Sequence, residues 1–423
     1  MLLLQKNPLK PIIFFGLLFF YFNFLINLIT DDRASWSLVY IPLALLIVYL
    51  FKNKTFYIHP LVLIVGVSSA FCITLNEYIF HADQASLDLE FNKHAHKYIY
   101  QFLYIIPLIF LGTLFKFSNF TTETFKKIIF VSIVFSVIFN GYLNILFDFN
   151  RGLFAAEFKS VILYDYCIVA LSLIGLVFSF KLKGKMAFLF ISLCLVNITL
   201  IVLHGSRGAW LGIPIALLMI SIYFYKTHLK QTLYMLFASI LLSISICVMP
   251  HSPIIERVDL LKNDASLMQK NNYNTSVGTR FALWYFAIEA FQQSPYVGHG
   301  FINFKNKICE PVNESDVPNC QPHAHNIVFQ ELAAHGLIGL LNILILAFAT
   351  LYFFIKNTIQ KNNPSTQTFA FAGLVCTIYL IICSMSDYLL FYSFPSMFLF
   401  LIILSLMNII YIENLNNDNN NSC

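Results

Sequence analysis

The chain has 423 residues, of which 58% are hydrophobic and 11% charged, and its formal net charge is +5. Mean hydropathy is +0.73. This composition excludes a soluble globule and points to an all-α integral membrane protein, with no nucleic-acid partner expected.

A bilayer core about 30 Å thick needs about 20 apolar residues per helix. Stretches of that kind fall near 12–29, 37–51, 60–79, 98–115, 128–147, 161–180, 186–203, 209–225, 232–249, 333–355, 368–387 and 391–412. About twelve transmembrane helices are therefore expected, the second short enough to be tilted or partly interfacial. Residues 1–249 would hold helices 1–9, 250–332 one large outer loop, 333–412 helices 10–12, and 413–423 a polar tail. The tail from Asn414 to Ser422 is expected to fray. Lys6 and Lys10 precede the first apolar run, and no small-residue cleavage site follows it. An uncleaved first helix is the expectation.

Lysines set the topology. With the N-terminus inside, Lys6, Lys10, Lys52, Lys54, Lys116, Lys126, Lys127, Lys181, Lys183, Lys185, Lys226, Lys230, Lys356 and Lys361 all fall on the cytoplasmic side. The short outer loops hold only Arg33, Lys93, Lys97, Arg151, Lys159 and Arg207. That asymmetry predicts an N-in, C-in orientation. It also places every arginine of the chain, Arg33, Arg151, Arg207, Arg257 and Arg280, outside. A guanidinium fork suits phosphate or carboxylate recognition. Most cysteines lie in predicted helices and act as small apolar residues. Cys309 and Cys320 lie in the outer loop, where a disulfide is expected if the compartment is oxidising.

Three segments carry chemistry. His204-Gly-Ser-Arg-Gly-Ala-Trp-Leu-Gly212 puts Arg207 at the outer end of the seventh span, with glycines leaving room for a phosphate. In the loop, Arg280 to Phe291 has aromatics at helical spacing and few charges. It suits an interfacial helix with Trp284 and Tyr285 at headgroup level, or an aromatic helix packed over the bundle. Ser294-Pro295 ends it, and Gly298-His299-Gly300 makes a tight turn. Then Pro322-His-Ala-His-Asn326 leads into a helix that enters the membrane, with Gly336 and Gly339 expected to allow close packing. His325 at that junction can accept a proton from a sugar hydroxyl, while Asn326 and His323 orient it or the substrate. His-x-His without a Cys or an acidic third ligand does not make a metal site. Lys159, Asp165 and Asp387 lie near the same face, Asp387 as a possible counter-charge for an arginine.

In this order, the motifs resemble those of the O-antigen ligase and polymerase superfamily of bacterial envelopes. Ser206-Arg-Gly-Ala-Trp-Leu211 resembles its arginine motif, and Ser294-Pro-Tyr-Val-Gly-His-Gly300 its Pro-x-x-Gly-x-Gly turn. His325-Asn326 with Gly336-Leu-Ile-Gly339 resembles its His-Asn helix start and glycine pair. The resemblance covers roughly residues 190–350; the first six spans match only in hydropathy.

The resemblance implies a fold like the membrane-embedded glycosyltransferases, in the bacterial inner membrane with the site facing the periplasm. It implies inverting, metal-independent transfer of O-antigen polysaccharide from undecaprenyl diphosphate to a terminal sugar of lipid A-core, without a cofactor. Arg207 and Arg280 would bind the diphosphate and His325 would be the base. His323, Asn326, Lys159 and Arg151 would contact substrate. Membrane lipids and other O-antigen assembly proteins are the further expected partners. An O-antigen polymerase, a protein O-oligosaccharyltransferase and a lipid-linked glycan flippase are the alternatives; a flippase would carry polar residues along a path through the bilayer.

Overall fold

The computed structural model describes residues 8–30, 34–51, 53, 55–81, 105–148, 161–249, 252–270, 275–309, 321, 323–360, 363–390 and 393–421. Arg33, Arg151, Lys159, Pro322, Cys320 and the Cys309 side chain lie outside the described residues, so the expectations resting on them stay open.

Among the described residues the chain is helical, without strands. The helices are α1 (Leu9–Thr30), α2 (Ala34–Leu50), α3 (Pro60–Phe80), α4 (Ile105–Ile109), α5 (Leu111–Ser118), α6 (Thr122–Leu146), α7 (Val161–Ser179), α8 (Lys185–Val202) and α9 (Arg207–Trp210). They continue with α10 (Ile213–Phe224), α11 (Leu229–Val248), α12 (Pro253–Met268), α13 (Ser276–Gln293), α14 (Phe301–Cys309), α15 (Ile327–Ile359), α16 (Pro364–Ser384) and α17 (Ser393–Asn421). Each of the twelve expected apolar stretches contains a helix or a helical pair. Seven helical segments among the described residues are long and apolar enough to cross a membrane.

The centre is α7, whose Tyr166, Cys167, Ile168, Val169, Ala170, Leu173 and Ile174 are all buried. Against it pack α8, α16 and α17. The outer helices turn apolar side chains outward, among them Phe135 and Ile138 on α6, Leu218 and Ile222 on α10, and Phe237 and Ile240 on α11. An apolar belt of this extent is stable only against lipid. Between helices in lipid, close packing and polar contacts replace the hydrophobic drive. Gly175 supplies the first: a Cβ there would lie 1.9 Å from Ile133 Cδ1 on α6. Asn197 supplies the second, donating to Ser172 Oγ on α7 at 2.9 Å and accepting from Asn140 Nδ2 on α6 at 2.9 Å.

Three expectations are corrected. The fourth span is broken: α4 and α5 meet at Phe110, where the backbone turns (φ −84°, ψ 0°). Over its described residues the polar tail is helical rather than frayed, because α17 runs on to Asn421. Asn414 Nδ2 donates to Asn357 Oδ1 at 3.1 Å, and Lys116 bonds Asn416. The helix after the His-Asn motif is not continuous either. Gly336 breaks α15 with φ +61° and ψ −146°, and the close packing expected of it is with the backbone of Pro295 and Tyr296.

Candidate functional site

The arginine motif is a short turn held from two sides. After α8, Gly205 takes φ +70° and turns His204 inward. There His204 Nδ1 meets Asp165 Oδ1 of α7 at 2.8 Å. Gly208 then packs so tightly that a Cβ would lie 2.1 Å from the Tyr166 hydroxyl and 2.8 Å from Ser386 Oγ. Tyr379 of α16 donates its hydroxyl to the Ala209 carbonyl at 3.2 Å. The motif is therefore fixed to α7, to α16 and to the loop after α16. Arg207 projects from it toward α12, with Nη1 3.9 Å from Asp264 Oδ2. Among the described residues neither of these two atoms has a hydrogen-bond partner. Arg257 and Arg280 are both near enough to repel Arg207 electrostatically.

Above the bundle, α13, α14 and the first turns of α15 share a small core of Leu283, Ala287, Ala290, Phe304, Ile308, Ala324 and Ala333. Trp284 belongs to this cap. Its Nε1 donates to the Ala324 carbonyl at 3.0 Å, and its ring stacks on Phe329 at 5.1 Å. Of the two aromatics read as headgroup anchors, Tyr285 is exposed while Trp284 packs over the site. The glycine turn docks into the break of α15. His299 and Gly300 donate backbone N–H groups to Ala333 and Ala334, and Leu337 donates to Pro295 at 2.8 Å. Gly298 and Gly336 both have positive φ, and a Cβ on either would strike backbone of the opposite segment, at 2.3 and 2.6 Å. These glycines lock the cap to the bundle.

The histidines lie where cap and bundle meet. Asn326 is the N-cap of α15: its Oδ1 accepts from Val328 N–H at 2.8 Å, and its Nδ2 donates to the Met385 carbonyl at 2.9 Å. His325 immediately precedes it, with φ +49°, a strained backbone for a non-glycine residue. His325 Nδ1 lies 3.2 Å from Asp387 Oδ1 and its Nε2 lies 3.4 Å from Gln321 Oε1. Asp387 is buried and also accepts the Tyr388 N–H at 2.8 Å. Burial raises the Asp387 carboxyl, but its hydrogen bonds from His325 and the Tyr388 N–H outweigh that and hold it below its usual range.

The two histidines have different surroundings. The His325 side chain is 23% exposed and that of His323 only 3%. Burial, with help from His325 and Arg280 and against Asp387, pushes His323 down to about 3, so it is neutral near pH 7. Arg280 acts electrostatically on both His323 and Tyr166. The fold thus gathers Arg207, Arg257, Arg280, His323, His325 and Asp387 at one end of the bundle.

Asp387 supplies the acidic group that the sequence reading found missing beside His-x-His. One ligand atom from each of His323, His325 and Asp387 falls within 4.8 Å of the others. The tautomer opposes a metal, however. His323 Nδ1 accepts the His325 N–H at 3.2 Å, so the hydrogen of neutral His323 sits on Nε2, the atom facing Asp387 at 3.9 Å. What the arrangement offers is a carboxylate-oriented imidazole beside several guanidinium groups.

Residues 187–344 match the family model described as O-antigen ligase. A protein of Haemophilus influenzae described as uncharacterized is 27% identical over 282 residues, covering 63% of this chain and 69% of that one. The matched family region contains Arg207, Arg280 and His325, while Asp165 and Asp387 reach the site from outside it. Over residues 187–344, this multi-pass helical membrane protein is thus similar to the O-antigen ligase family.

Proposed function

We propose that the protein transfers O-antigen polysaccharide from undecaprenyl diphosphate to a terminal sugar of lipid A-core, on the periplasmic face of the bacterial inner membrane. The observation that carries this reading is the His325–Asp387 pair, 3.2 Å apart and beside the arginine cluster. With Asp387 accepting the Nδ1 hydrogen of His325, Nε2 carries the lone pair, and the acceptor hydroxyl takes the place of Gln321 Oε1 beside it. Nε2 takes the proton of the acceptor hydroxyl as that oxygen attacks the anomeric carbon. The bond from that carbon to the diphosphate oxygen breaks, and the configuration inverts.

Arg207 and Arg280 stabilise the charge that grows on the leaving diphosphate, a role that requires no metal. His323, buried and neutral, keeps the loop shape through its bond to the His325 N–H. Lysine placement supports N-in and C-in termini. The test is a deletion strain complemented with wild type, His325→Ala, Arg207→Ala or Arg280→Ala, with lipopolysaccharide resolved on a gel. The reading expects the variants to lose the long-chain ladder while polymer accumulates on its lipid carrier. Core bearing a single repeat unit would instead indicate a polymerase, and an unchanged ladder would reject both.

A further inference from the structure

Beside the His325–Asp387 pair lies a second set of ionisable groups that the transfer chemistry leaves unused. Glu331 and His335 stand on the first turns of α15, Glu77 on α3, and Tyr388 next to Asp387; all four are buried. His335 bridges the carboxylates, with Nδ1 2.8 Å from Glu331 Oε2 and Nε2 2.9 Å from Glu77 Oε1. The Tyr388 hydroxyl donates to the other oxygen of Glu331 at 2.6 Å. Glu77 Oε1 also accepts the Phe301 N–H at 2.8 Å, just after the glycine turn. One buried network thereby connects α3, the cap, the start of α15 and the loop after α16.

Two carboxylates and an imidazole in a lipid-surrounded bundle are costly to desolvate, and apolar residues would usually be at least as stable there. What such a network can supply is a unique geometry. The loop carrying Asp387 is joined to the start of α15 at two points, by Asn326 to the Met385 carbonyl and by Glu331 to the Tyr388 hydroxyl. Asp387 lies between them. Gly339 leaves room for the Glu331–His335 brace behind this joint, since a Cβ there would come 2.6 Å from His335 Cβ and 2.8 Å from Glu331 Oε2. We infer that Tyr388 is a positioning residue, which holds Asp387 against His325 through Glu331, with His335 and Glu77 as the brace behind it. The effect on turnover rests on the transferase reading; the positioning itself does not.

The experiment uses the full chain purified into lipid nanodiscs, with an undecaprenyl-diphosphate-linked glycan as donor and lipid A-core as acceptor. Tyr388→Phe, which removes one oxygen, should lower kcat about tenfold, a partial loss of general-base catalysis, with donor KM within about twofold. Gly339→Ala should act in the same direction. On the same samples, hydrogen exchange should rise in residues 385–390 of Tyr388→Phe and nowhere else. Wild-type kcat in Tyr388→Phe, or exchange raised throughout the chain, would overturn the inference, the second by showing a general structural role. His325→Ala in the same assay separates the two readings. If it transfers at the wild-type rate, or wild type does not transfer at all, the transferase reading fails. The exchange pattern then decides the positioning alone: a local rise supports it and an unchanged 385–390 rejects it.

Discussion

The two ends of the bundle carry similar residue types under opposite conditions. At one end the lysines are peripheral. Lys10, Lys116, Lys126 and Lys181 lie over the rings of Phe117, Tyr57, Phe369 and Phe224 at 5.6–6.0 Å, and Lys126 pairs with the exposed Glu123. At the other end, His204, His323, His335, Asp165, Asp387, Glu77 and Glu331 are buried, and each contacts another ionisable group. A lysine on a flexible stem keeps its hydration and contributes little to stability. A buried carboxylate or imidazole gives up hydration and needs fixed partners. The difference teaches that an exposed charge needs no fixed partner, whereas charge burial marks where geometry has been built.

Substitutions at the two ends should therefore differ widely. Arg207→Ala should lower transfer about 10²–10³-fold, the usual cost of removing one electrostatic stabiliser of a leaving charge. Arg207→Lys should not restore it, because an ammonium cannot reproduce the guanidinium fork; initial rates of glycan transfer check both. Asp387→Asn should cost about tenfold to a hundredfold while donor binding stays within about twofold, since the imidazole loses its orienting anion but the arginines remain.

A smaller effect concerns stability. His323 takes up a proton only near pH 3 in the folded protein, against 6.5 for the free side chain. The unfolded chain binds that proton first, so the stabilisation is complete above pH 6.5 and declines as the pH falls toward 3. Between pH 7 and pH 5 the loss should be about 2 kcal/mol. Thermal unfolding in detergent should show a flatter dependence over this range in His323→Gln than in wild type. Asp387 does not contribute there, because its own window lies below pH 3.8. Smallest of all, Lys181→Ala should change stability by no more than about 0.5 kcal/mol and leave transfer intact. A large loss of activity from Lys181→Ala would break the contrast between the ends.

The fold was legible where a local pattern carries it. Each expected apolar run contains a helix or a helical pair, and Arg207 at a span end, Arg280 in the outer loop and His325 at the loop-to-helix junction are rare ionisable groups in an apolar chain. The partners of these residues were not legible, because they arrive from elsewhere in the chain. Asp387 stands 62 residues from His325, and Glu77 is 258 residues from His335. Read alone, Asp387 is a counter-charge for an arginine, and nothing in the local pattern singles out Glu331 or His335. The partner of Gly336 was hidden for a related reason. A glycine in an apolar run suggests helix packing, and only the docked 295–298 turn shows that positive φ is what the position requires. Trp284 could be a headgroup anchor or a cap residue by spacing, and its bond to the Ala324 carbonyl decides.

The most direct test uses purified wild type and His325→Ala with donor and acceptor lipids, reading both the rate of transfer and the anomeric configuration of the new bond. The account predicts inverted product from wild type, a rate about 10²–10⁴-fold lower from His325→Ala, and unchanged donor binding in the variant. Transfer by His325→Ala at the wild-type rate, or a product of retained configuration, would contradict it.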